Sequence, residues 1–139
     1  MSRSSDDAVM DEDGGQTDVR PLRIAVVGHC ASGKSTLVGA LRRNGYDAHA
    51  VAQEHSGVTW LWRHSEPDVL IYLDVPLAAV RARRGEEWPK AIYDAQEARL
   101  TDARAHADLV LDTNTESIAK MTAHAITFLS EYTPKAERR

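Results

Sequence analysis

Eight consecutive residues, Gly28-His29-Cys30-Ala31-Ser32-Gly33-Lys34-Ser35, set two glycines, a lysine and a hydroxyl in the spacing G-x-x-x-x-G-K-S. Glycines at the first and sixth positions let a backbone bend tightly enough for successive N–H groups to face one anion. A helix starting just beyond them adds the positive end of its dipole. Lys34 would supply charge to the β- and γ-phosphates of a bound nucleotide, and the Ser35 hydroxyl an oxygen ligand to Mg2+, which prefers oxygen donors and keeps part of its water beside phosphates. The pattern therefore predicts a phosphate-binding loop running from Gly28 to Thr36. The Asn or Thr-Lys-x-Asp pattern that selects guanine does not occur after an apolar run, so the expected ligand is ATP with Mg2+.

Such a site needs a carboxylate at the end of a neighbouring strand, to hold metal-bound water or to take a proton from an attacking hydroxyl. Two residues qualify: Glu54, in Gln53-Glu54-His55-Ser56, and Asp74, which ends the apolar run Val69 to Leu73. Arg81, Arg83 and Arg84 crowd one short helical stretch, and like charge in that density calls for a nearby anion. Arg81 and Arg84, three apart, share a face, whereas Arg83 points elsewhere. Cys30 fills an unspecified loop position. His55 either binds an acceptor or simply hydrogen-bonds at a strand end, and the second reading is preferred. Trp60, Trp62 and Trp88 either stack on a base or fill a small core, and Trp60 and Trp62 cannot share one helix face.

These residues need elements to position them. Leu22 to Val27 is an apolar strand directly before the loop. Lys34 to Arg43 follows as a helix, with Leu37, Ala40 and Leu41 at helical spacing and Asn44-Gly45 as its stop. A short strand is expected at His49 to Gln53, and a brief helix carrying Trp60 and Leu61 ends before Pro67. Val69 to Leu73 has the unbroken apolar character of a parallel strand covered on both faces. Helices are expected from Pro76 to Arg84 and from Pro89 to His106, a last strand at Leu109 to Leu111, and a closing helix from Ile118 to Leu129. Alternating strands and helices imply a parallel α/β sheet with helices on both sides, four strands in the order 2-1-3-4, and a site at the carboxyl ends of the strands.

At 139 residues with a formal net charge of −4, the chain has room for one core and lacks the basic face that nucleic acid requires. Its single cysteine excludes an internal disulfide. With no long apolar run and no basic-then-apolar start, neither a membrane span nor a secretory signal is expected, which points to the cytoplasm. Residues 1–20, rich in Ser, Asp, Glu and Gly, read as a disordered acidic segment and 134–139 as a flexible charged tail, leaving a folded unit at 21–133.

Beyond the loop, two stretches resemble small nucleoside and nucleotide kinases of the P-loop NTPase superfamily. Pro67 to Arg84, P-D-V-L-I-Y-L-D-V-P-L-A-A-V-R-A-R-R, is similar to the strand-to-lid passage of thymidylate and deoxynucleoside kinases. Gln96 to Asp112, ending in A-D-L-V-L-D, is similar to the last helix-to-strand passage of dephospho-coenzyme A kinases. The resemblance implies a three-layer P-loop NTPase fold and transfer of the γ-phosphoryl group of ATP to a small-molecule acceptor. It further implies a lid bearing Arg81 and Arg84, Glu54 as base and metal partner in preference to Asp74, and Thr113 beside the adenine edge. The passage between the second and third strands is only about fifteen residues long. Such kinases place an acceptor-binding insertion and another strand there, and no Asp-Arg-Tyr or Asp-Arg-His motif is present. The short passage favours a second reading, a nucleotide-binding regulator or slow ATPase; a homodimer or a protein partner stays open.

Overall fold

The computed structural model describes residues 21–132 apart from Thr115. The segments 1–20 and 134–139, read above as disordered and flexible, lie outside the described residues. Strands β1 (Arg23–Gly28), β2 (Asp47–Ala50), β3 (Val69–Asp74) and β4 (Leu109–Asp112) form one parallel sheet in the order β2-β1-β3-β4, as the alternation of elements predicts. Helix α1 (Lys34–Arg43) joins β1 to β2. Two short 3-10 turns, Gln53–His55 and Leu61–Ser65, occupy the passage to β3. Helices α2 (Leu77–Arg84) and α3 (Lys90–His106) lead to β4, and α4 (Ile118–Glu131) follows it.

The period of two along each strand divides the core. Ile24 and Val26 of β1 and Val69, Ile71 and Leu73 of β3 pack on one face against α1 and α4, through Leu37, Leu41, Met121, Ala125 and Leu129. Ala25, Val27, Leu70 and Tyr72 turn to the other face and meet Leu100 and Ala103 of α3. The two central strands are thus covered on both sides, which is why their sequences are almost wholly apolar. Among the described residues no helix is long and apolar enough to cross a membrane.

The strand β2 begins two residues earlier than its sequence suggests. As an edge strand with the sequence Asp-Ala-His-Ala it carries no apolar run, and its position is set by neighbours instead. Tyr46 N–H donates to the Leu41 carbonyl at 3.0 Å as the chain leaves α1, and Val51 N–H closes the ladder on the Val26 carbonyl at 3.0 Å.

Two glycines shape the turn from β1 into α1. A Cβ on Gly28 would lie 2.8 Å from both the Leu73 carbonyl oxygen and Ser32 Oγ, so only glycine lets the loop pass close to β3. Gly33 has φ +91°, a conformation that L side chains rarely adopt, and it starts α1 with no side-chain cap on the helix amides.

Candidate anion-binding site

The chain leaves β1 toward β2 and leaves β3 toward β4, so the carboxyl ends of these adjacent strands diverge at the point where parallel α/β sheets hold ligands. The loop from Gly28 to Gly33 crosses that point. Within it Ser32 N–H donates to the His29 carbonyl at 3.0 Å, and Leu37 N–H to the Gly33 carbonyl at 3.0 Å. Cys30 N–H donates to Gln96 Oε1 at 3.3 Å. The N–H groups of Ala31, Gly33, Lys34, Ser35 and Thr36 donate to no protein acceptor among the described residues. Five unclaimed donors around one helix start suit a multiply charged oxyanion. Ser32 Oγ is buried inside the loop with no partner. Ala31 holds φ +87°, a strained conformation for a residue with a side chain.

Lys34 folds back over the loop. Its ammonium donates to Glu54 Oε2 at 2.5 Å, to the Gly28 carbonyl at 3.0 Å and to the His29 carbonyl at 3.4 Å, so all three of its protons have acceptors. Glu54 follows β2 in the first 3-10 turn and is only 3% exposed, with Oε1 buried and unpartnered. His55 Nε2 lies 3.7 Å from Glu54 Oε2, and Arg99 of α3 donates to the Glu54 backbone carbonyl at 3.1 Å. The Ser35 side chain stands exposed at the helix start, with no hydrogen-bond partner among the described residues.

The arginines divide otherwise than their spacing suggests. Arg81 and Arg84 do share a side of α2, but that side turns to the α2–α3 connection: Arg81 Nε donates to the Trp88 carbonyl at 3.0 Å, and the Arg84 guanidinium lies 5.8 Å from the Trp88 ring centroid. Arg83 is the one that reaches the loop. It donates to the Ala31 carbonyl at 2.5 Å and the Thr113 carbonyl at 2.9 Å, holding the strained residue from outside. Between these partners lies a cavity of about 240 Å3 bordered by Ser32, Gly33, Thr36, Arg83, Thr113 and Glu116. Thr113 is fixed by its N–H and hydroxyl, both donating to the Asp74 carbonyl at 3.0 and 3.2 Å. The tryptophans do not gather into a stacking wall: Trp62 is buried with Nε1 donating to Asp102 Oδ2 at 3.0 Å, Trp88 packs against Val75, Ala79 and Val80, and Trp60 is exposed.

No family model matches the chain, and no curated protein matches it. Among solved structures it is similar to a response regulator protein from Burkholderia multivorans, at 16% identity and a TM-score of 0.43, covering 84% of this chain and 100% of that one. The kinase expectation is corrected by these findings. Neither the assignment to the P-loop NTPase superfamily, nor phosphoryl transfer to an acceptor, nor the alternative of a nucleotide-binding regulator or slow ATPase finds support in any family model or curated protein. The structure carries physical reasons of its own: only two 3-10 turns stand where such kinases place an acceptor-binding insertion, and the two expected lid arginines are spent on Trp88. What stands is a four-stranded parallel α/β sheet with helices on both faces. A likeness of this extent to a response regulator lends the chain no activity.

Asp74, the other acid considered, is engaged elsewhere. Arg104 of α3 grips both its oxygens, at 3.0 and 3.3 Å, and lies over the Tyr72 ring at 5.1 Å. The hydrogen bond to Asp74 holds the Arg104 guanidinium above even its usual range. Burial, then the charge of Glu97, pushes the Tyr72 phenol from 10 up to about 12, and the same two causes push Tyr93 up to about 12. Both phenols keep their protons more tightly in the folded chain than in the unfolded one. Their contribution to stability is therefore complete below pH 10 and is lost as the pH rises toward 12. Denaturant midpoints should be flat with respect to these groups below pH 10 and fall above it, and Tyr72→Phe should lessen the fall.

Of the α3 residues that hold the loop, Tyr93 and Glu97 carry no signal in the sequence, and for Gln96 the sequence does not separate helix surface from lid contact. His29 is 1% exposed, with Nε2 2.7 Å from Glu97 Oε1, Nδ1 3.2 Å from Gln96 Oε1, and its ring stacked on Tyr93 at 4.2 Å between centroids. Gln96 also donates through Nε2 to the Cys30 thiol at 3.3 Å. One signal was available: Gln96 sits on the same stripe as Leu100 and Ala103, so a polar residue occupies a buried helix position and must have a partner.

Proposed function

We propose that residues 28–36 bind the phosphate group of a small molecule. The observation that carries this reading is the combination of five unclaimed amides at the start of α1 with a lysine whose ammonium stands over the same loop. A phosphate replaces the water that otherwise solvates those amides and gains charge-assisted hydrogen bonds from them. The buried, unpartnered Ser32 Oγ adds a further polar atom within the loop. The adjoining cavity of about 240 Å3 gives room for part of what the phosphate is attached to.

ATP and Mg2+ are the ligands expected from the sequence and the first to test. Among the described residues no group of three His, Cys, Asp or Glu side chains could hold a metal ion. A Mg2+ ion here would take an oxygen from Ser35 and one from Glu54, the rest coming from phosphate and water, as is usual for this ion. The unpartnered Glu54 Oε1 fits that role, although Oε2 is engaged by Lys34. Calorimetric titration with pyrophosphate and with ATP, each with and without Mg2+, is expected to show saturable binding of at least one of them. No heat and no change in melting temperature at millimolar concentrations of any would end this reading.

A further inference from the structure

We infer that α3 is the moving partner of the loop: capture of a phosphate-bearing ligand and seating of the first half of α3 are one coupled equilibrium, joined through the His29–Glu97 contact. This rests on the anion site proposed above and concerns its regulation. The first half of α3 is weakly anchored. From Lys90 to Glu97 only Gln96 is buried, and Ile92 is 43% exposed. Its attachments to the body of the protein are the packing of Tyr93 on Val75, Ala79 and Val80, the stacking of Tyr93 on His29, the Tyr93 hydroxyl donating to the Val75 carbonyl at 2.8 Å, and the contacts of Gln96 and Glu97 with His29 and Cys30. Most of these are contacts to the loop itself.

The loop depends on α3 in return. His29 and Cys30 are its first two residues after Gly28, and both are bonded to α3, while Ala31 beyond them is held in a strained conformation. A loop whose donors must all face one anion binds best when that conformation is already populated. Anything that holds it in place raises affinity, and by linkage the ligand must tighten the same contacts. Arg99 extends the connection, since its bond to the Glu54 carbonyl ties α3 to the residue that shares Lys34 with the loop. Glu97 is the discriminating position: its side chain is 43% exposed, and its contact with the loop runs through His29 Nε2.

Amide hydrogen exchange and pyrophosphate titration on the full chain test the coupling. In the wild type, pyrophosphate should slow exchange across residues 90–97 as well as 29–36. Glu97→Ala should lose the protection at 90–97 and weaken pyrophosphate binding by about tenfold, within the usual range of such couplings. Glu97→Gln keeps an acceptor oxygen for His29 and should restore most of both. Glu97→Met restores the bulk of the side chain without an acceptor and should restore neither, which separates the contact with His29 from a general loss of packing. Binding and protection of 90–97 unchanged in Glu97→Ala would overturn the coupling while leaving the anion site intact. Failure of pyrophosphate to bind the wild type would overturn both.

Discussion

Lys34→Ala is expected to abolish the pyrophosphate-dependent rise in melting temperature and also to destabilise the ligand-free protein. The first effect follows from the place of the ammonium over the loop, 3.0 Å from the Gly28 carbonyl and 3.4 Å from that of His29. At about a hundredfold over Kd, a ligand specific for the folded chain adds about 2.7 kcal/mol of stability, and in Lys34→Ala little of this should remain. The second effect follows from burial. The Glu54 side chain is 4% exposed and that of Lys34 12%, so removing the lysine strands a carboxylate away from water, at a cost of about 3 kcal/mol or more. The double substitution Lys34→Ala and Glu54→Gln separates the two roles, because a neutral amide leaves no stranded charge. It should recover most of the stability in denaturant titrations and none of the pyrophosphate binding. A double variant that stays as unstable as Lys34→Ala would mean that the lysine's packing, and not its charge, supports the fold.

The architecture was legible because its signals are local. The unbroken apolar runs of β1 and β3 and the helical spacing of Leu37, Ala40 and Leu41 announce their elements without any knowledge of neighbours. β2 was placed two residues late because an edge strand built of Asp, Ala and His has no pattern to read, and its register is inherited from α1 and β1. The site divides in the same manner. The loop announces itself by its glycines, whereas Arg83 and Glu97 act through partners 52 and 68 residues away in sequence. Helical spacing told which arginines share a face but not which way that face turns, and this decided Arg83 over Arg81 and Arg84. The family inference failed for a related reason. Short strand-to-helix passages such as Pro67 to Arg84 obey the same local physics in many parallel α/β sheets, so their resemblance reports the architecture and not the chemistry.

Glu54→Gln is expected to have the opposite effect on ligand to Lys34→Ala: metal-free pyrophosphate should bind more tightly than in the wild type, by about tenfold, or 1.4 kcal/mol. The reason lies in competition. Lys34 has three donors, and all three have acceptors within the protein, the shortest being Glu54 Oε2 at 2.5 Å. A phosphate reaching the loop must draw the ammonium away from a buried carboxylate whose other oxygen has no partner, and it meets the repulsion of that carboxylate as well. Glu54 would help to hold a divalent cation, whose charge would offset both penalties, so Mg2+ should strengthen pyrophosphate binding in the wild type. In Glu54→Gln the repulsion is gone, and the gain from Mg2+ should shrink accordingly. Titrations of both proteins with pyrophosphate, with and without Mg2+, make the comparison. Should metal-free affinity fall in Glu54→Gln, the carboxylate is aligning the lysine for the anion and not contending for it. The carboxylate would then be a positive part of the site, and the partner exchange deduced from the lysine's three occupied donors would be incorrect.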